Sequence, residues 1–204
     1  MSLQFLLTAL VVVVAPGTGV IYTLAIGLGQ GRRAAIMAAV GCTFGIVPAL
    51  LAAVLGLAAI MHTSALLFQV IKFAGVAYLL YLAWQMLRDE GGVAVRAETG
   101  ARADWAIARR GALINILNPK LSIFFLALLP PFLSGNPATA SAEMLAMGAV
   151  FMLLTFVVFV GYGAFAAAAR DKVLSSPPVI RWINRGFAAV FAGLAARLAM
   201  EKAT

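Results

Sequence analysis

The chain has 204 residues, of which 64% are hydrophobic and only 11% charged, and its mean hydropathy is +1.03. A soluble domain carries about 25% charged residues, so this much apolar surface belongs in a bilayer rather than around one small core. One cysteine, Cys42, excludes an intrachain disulfide and a multi-Cys metal cage, one histidine, His62, argues against a His-rich site, and the net charge of +8 is scattered between apolar runs with no nucleic-acid-binding motif.

A membrane helix needs about 20 mostly apolar residues to cross about 30 Å of hydrocarbon. Taken in chain order, the apolar runs predict an all-α polytopic membrane protein with spans over about 3–26, 34–61, 64–87, 111–134, 144–169 and 180–200, forming a single transmembrane domain over 1–204. The last is the weakest, because Arg181, Arg185 and Arg197 must snorkel to the interfaces; five spans is the alternative. The first run lacks the charged segment of a cleavable signal and is read as a true span. Residues 88–110, rich in Gly, Ala and charge, read as a cytoplasmic connector.

Basic residues set the expected orientation. The loops after spans one, three and five, taken with the start of span six, hold 11 of the 15 Lys and Arg, whereas "MHTSA" and "SGNPATASAE" hold none. Loops 1, 3 and 5 are therefore expected in the cytoplasm and the N-terminus outside. Three spans per half would make the halves inverted, a recurring transporter plan. Spans one and four each carry a mid-run helix breaker, which suits a 3+3 repeat with an interrupted first helix in each half.

The first break is "APGTG". Pro16 removes a backbone donor, while Gly17 and Gly19 permit non-helical angles. The second is "NILNPK", where Asn118 precedes Pro119 and is biased away from the helix. Within lipid, freed backbone groups are tolerated only where protein or a watery cavity satisfies them, so a broken span points to a binding site; a simple packing kink is the plainer reading. At 1.5 Å per residue, Pro119 lies about 12 Å and Pro16 about 10 Å from the cytoplasmic face, so the two breaks are expected at similar depth.

Lys120 lies near mid-membrane, where a lysine costs about 2.5–3.5 kcal/mol unless paired or wetted. All seven acids lie in loops or at span ends. Its counter-ion is then a passing substrate carboxylate, or the side chain snorkels; Lys72 in span three poses the same choice. Asn115 and Asn118 offer donors and acceptors that suit an amino-acid-like ligand or interhelical bonds. The candidate substrate-binding set is thus Pro16, Gly17, Thr18, Gly19, Asn115, Asn118, Pro119 and Lys120. Gly41 and Gly45 form a GxxxG pair that reads as a close-packing face and permits a homodimer. No GxSxG, Walker or HExxH motif is present, so neither an enzyme nor a cofactor is expected.

The segments "APGTG…GLGQGRRA", "IKFAGVAYLLYLAWQMLR", "GALINILNPKLSIFFLALLPPFL" and "RWINRGFAAVFAGLAARL", in order over nearly the whole chain, resemble the LysE/RhtB family of bacterial amino-acid exporters. The resemblance implies a six-span inner-membrane protein that exports amino acids on the proton gradient or membrane potential. The family's Pro-Gly-Pro element falls on Pro16, Gly17 and Thr18, and its Asn-Pro-Lys element on Asn118, Pro119 and Lys120. The family commonly reads a second proline and then a polar residue, often Asn, where this chain has Thr18 and Gly19. With no carboxylate in the span cores, the expected cargo is a neutral amino acid or close analogue. A cation transporter of the same superfamily and a non-transporting membrane scaffold are the alternatives.

Overall fold

The computed structural model describes residues 2–15, 17–61, 98, 102–118, 121, 125–126 and 129–168, together with Val70, Phe73, Ala77, Leu80, Tyr81 and Trp84. The described residues are helical with no strands. Pro16, Pro119, Lys120 and Lys72, most of the expected third span and all of the sixth lie outside them.

Helix α1 (Leu3–Val14) starts at Ser2, whose hydroxyl accepts from the Phe5 N–H at 3.2 Å, which satisfies one of the orphan donors of a helix start. The chain leaves the helix at Ala15, in extended geometry, and re-enters it as α2 (Thr18–Gln30). The two axes differ by 54°, a sharp bend where the sequence places Pro and Gly. The Gly31 turn follows, with φ at 87°, the left-handed region in which glycine carries no Cβ penalty.

Helices α3 (Arg32–Phe44) and α4 (Val47–Met61) form one long run with a tight turn at Gly45–Ile46. Pro48 explains the turn: it lacks the N–H that would bond the Phe44 carbonyl, and its ring crowds that carbonyl. Helix α5 (Asp104–Ile116) begins seven residues inside the segment read from sequence as connector. Its charged first turns gave no apolar signal; they are held by partners instead, Asp104 bonding Arg33 at 2.7 Å. Past Ile116 the chain turns at Leu117, and a short 3₁₀ turn spans Pro130–Phe132. Helix α6 (Pro137–Ala168) starts ahead of the expected 144. Asn136 caps it by accepting from the Ala138 N–H at 3.0 Å, and Pro137 occupies the first helical position. Glu143, one and a half turns in, accepts from the Ser134 N–H at 2.9 Å and from the Ser134 and Thr139 hydroxyls at 2.6 Å.

By length and composition, Arg32–Gly56 and Ala138–Ala168 are able to cross a membrane, and the bent α1–α2 pair makes a third span if taken as one. Packing follows membrane rules, with small residues where backbones approach. On α3, Ala35, Ala38, Ala39 and Cys42 are buried while Phe44 points outward; on α6, Leu153, Val157 and Phe165 are exposed. The closest approach is between α3 and α5: a Cβ on Gly41 would collide with the Ala108 backbone, and one on Gly45 would stand 2.5 Å from the Ala112 carbonyl oxygen. The GxxxG face is therefore occupied within the chain, by α5. Larger side chains fill the interior elsewhere, as in the edge-on pair Phe125–Phe151 with ring centroids 5.1 Å apart.

Candidate functional site

Residues flanking the two interruptions expected from sequence are in contact. The amide Nδ2 of Asn118, just past the end of α5, donates to the Thr18 hydroxyl at the start of α2 (3.3 Å). One residue along α2, a Cβ on Gly19 would stand 3.3 Å from Asn115 Oδ1. Of the eight candidate residues the structure describes five, and four of these, Thr18, Gly19, Asn115 and Asn118, form this junction. Gly17 is the N-cap of α2, in extended geometry with no side-chain cap bond among the described residues, and a Cβ there would meet none of those residues within 4 Å.

The sides of the junction differ in character. At the α2 end, Gly17 and Thr18 are exposed. Helix geometry leaves the first N–H groups of α2 without intrahelical acceptors and gives that end a partial positive charge. An open, uncapped helix start inside an apolar protein suits an anionic group such as a carboxylate.

On the α5 side, Asn115 is only 5% exposed. Its Nδ2 donates to the Cys42 carbonyl at 2.7 Å. That carbonyl is available because the turn before Pro48 redirects the Ile46 N–H to Thr43 O, at 3.1 Å. Asn115 thus spends its donor joining α5 to α3, and its oxygen is the atom beside Gly19. The Gly19 carbonyl in turn accepts from the Thr23 hydroxyl at 2.9 Å and lies 3.9 Å from the Cys42 sulfur.

Helix α6 supplies a third wall that the sequence did not announce. Tyr162 donates its hydroxyl to the Val14 carbonyl at 2.7 Å, satisfying an acceptor freed where α1 stops. Phe159, 6% exposed, lays its ring edge over Gly19, with Cε2 2.9 Å from where a Cβ would be. A lone tyrosine hydroxyl in the apolar run "VVFVGYGAF" was a usable signal, since a buried hydroxyl needs a partner. Nothing local distinguished Phe159 from its aromatic neighbours.

One turn beyond Thr18 on α2, Tyr22 donates its hydroxyl to the Ile107 carbonyl at 2.9 Å, with the Arg110 guanidinium 5.5 Å from its ring centroid. Arg110 pairs with Glu98 at 2.6 Å, and the Glu98 N–H reaches the Ala25 carbonyl at 3.2 Å. Among the described residues the acids are Glu98, Asp104 and Glu143, engaged by Arg110, Arg33 and Ser134 respectively. None stands at the Thr18–Asn118 junction.

The LysE type translocator family model matches residues 10–202. An uncharacterised membrane protein of Vibrio cholerae is 32% identical over 202 residues, covering 98% of this chain and 97% of the relative. A homoserine/homoserine lactone efflux protein of Salmonella typhimurium is 27% identical, covering 97% and 95%. A leucine efflux protein of Enterobacter sp. is 26% identical, covering 96% and 93%. No solved structure matches the chain.

Proposed function

The chain belongs to the LysE type translocator family, and from that premise we propose that it is a secondary transporter exporting a small neutral amino acid or close analogue. It does so from a bacterial cytoplasm across the inner membrane, driven by the proton gradient or membrane potential. In this reading six spans form a 3+3 inverted arrangement, with loops 1, 3 and 5 cytoplasmic.

The observation that carries the reading is the contact between Thr18 and Asn118. It joins the open start of α2 to the break after α5. A zwitterion fits such a place: its carboxylate is favoured at the helix start, while amide and hydroxyl oxygens accept from its ammonium group. Gly17 leaves room for the ligand, Thr18 and Asn118 contact it, and Pro16 and Pro119 are the residues that the sequence assigns to the two breaks. Gly19 and Asn115 position the walls. Lys120, assigned from its place in the sequence, is the proposed positive charge for the carboxylate. A cationic side chain would call for a carboxylate partner, and the acids described are committed elsewhere. Two relatives are named for efflux of homoserine and leucine, whose side chains are uncharged, which supports the same class.

The test is export of labelled amino acids from loaded vesicles, with and without a proton gradient, by the unchanged protein and Asn118→Ala. Neutral amino acids should leave, and the variant should lose at least about tenfold in rate, the scale of one charge-assisted hydrogen bond. Robust lysine or arginine export with no neutral export refutes the reading.

A further inference from the structure

The polar groups at the junction recognise what all amino acids share, the carboxylate and the ammonium. Selection among amino acids must come from whatever limits the space around the side chain. Among the described residues, none stands within 4 Å of a Cβ placed on Gly17. Next to it, Gly19 is covered by Asn115 Oδ1 and by the edge of Phe159, whose Cε2 and Cζ stand 2.9 and 3.3 Å from the position of a Cβ.

Both covering groups are held. Asn115 is tied to the Cys42 carbonyl. Helix α6 is tied to the end of α1 by Tyr162, one turn past Phe159, and its preceding turn is filled by Thr155, bonded to the Phe151 carbonyl at 2.8 Å. A phenyl ring offers a zwitterion no hydrogen bond. Beside a polar opening, its effect is to exclude volume.

We propose that Phe159 is the specificity-determining residue of this transporter, its ring setting the largest side chain the cargo carries. The proposal rests on the reading of the junction as the amino-acid site. Gly19 and Phe159 then form a matched pair: α2 has no side chain where α6 has a ring. Shortening the ring opens space beside Gly19, and a methyl added to Gly19 takes that space back.

Export rates of alanine, valine, leucine and phenylalanine from loaded vesicles test this in Phe159→Leu, Phe159→Ala, Gly19→Ala and Gly19→Ala/Phe159→Leu, with Asn118→Ala alongside. Each methylene in an apolar pocket is worth about 10-fold or more in discrimination. The ratio of phenylalanine to alanine export should therefore rise about tenfold in Phe159→Leu and further in Phe159→Ala. Gly19→Ala should lose the larger cargoes first, and the double variant should recover them. Ratios unchanged within about twofold, with Asn118→Ala still slowed about tenfold or more, overturn the role of Phe159 and leave the site standing. A uniform loss for all four cargoes in Phe159→Leu, without recovery in the double variant, also overturns it, as a structural effect. Unimpaired export by Asn118→Ala, or none by the unchanged protein, overturns the site and this role together.

Discussion

Tyr162 shows how one hydroxyl stabilises a broken membrane helix. Its bond to the Val14 carbonyl satisfies a group that lipid cannot. Interhelical side-chain bonds in membrane proteins contribute about 0.6 kcal/mol on average and up to about 1.7. Tyr162→Phe should cost that much in thermal unfolding of the purified protein, and unchanged stability would mean that water or another donor serves Val14. The junction residues were legible to different degrees for a physical reason. Proline, glycine and the asparagine before a proline act on the local backbone, so their effect can be read from neighbours in sequence. Phe159 acts only through where α6 lies, and Asn115 reads as a ligand group until the turn before Pro48 is seen to free the Cys42 carbonyl for it. Pro16, Pro119 and Lys120 lie outside the described residues, so their placement rests on the sequence argument.

At the scale of elements, apolar runs and helices proved to be different objects. Hydropathy marks where lipid or protein covers the chain, and so put span boundaries at 111 and 144. The helices begin at Asp104 and Pro137, where ion pairs and a cap, not burial, stabilise the first turns. The glycines separate along similar lines. Gly45→Ala would push a methyl to 2.5 Å from the Ala112 carbonyl oxygen and 2.8 Å from Asn115 Cβ, backbone and near-backbone atoms with little freedom to yield. Overpacking of this kind costs about 1–3 kcal/mol. Gly56→Ala meets none of the described residues within 4 Å and should stabilise its helix by up to about 1 kcal/mol. Paired melting curves in one detergent check both signs; equal melting temperatures would mean that α3 and α5 adapt more freely than their spacing implies.

For the whole molecule, charge distribution and structure bear on the same question. The turn at Gly31 meets the approach to α5, through Arg33 with Asp104 and through the Arg102 N–H with Gln30 Oε1 at 3.2 Å. At the other end, Phe5 packs edge-on against Phe132, with ring centroids 5.4 Å apart. The Gly31 turn and the start of α5 therefore share an end, apart from the loop around Ser134. The native Cys42 is fully buried, which leaves little background for thiol labelling. On intact cells, a membrane-impermeant maleimide should label Ser134→Cys and spare Arg32→Cys until the membrane is opened. The reverse pattern would turn the protein over. The span count and the inverted halves were argued from sequence, and much of the third span and all of the sixth lie beyond the described residues.

The seam between α3 and α5 has a mechanical consequence. Helices whose backbones touch, with an asparagine riveted across them, have no side-chain cushion on which to glide. Any rearrangement of the protein must therefore carry α3 and α5 together, as one rigid keel.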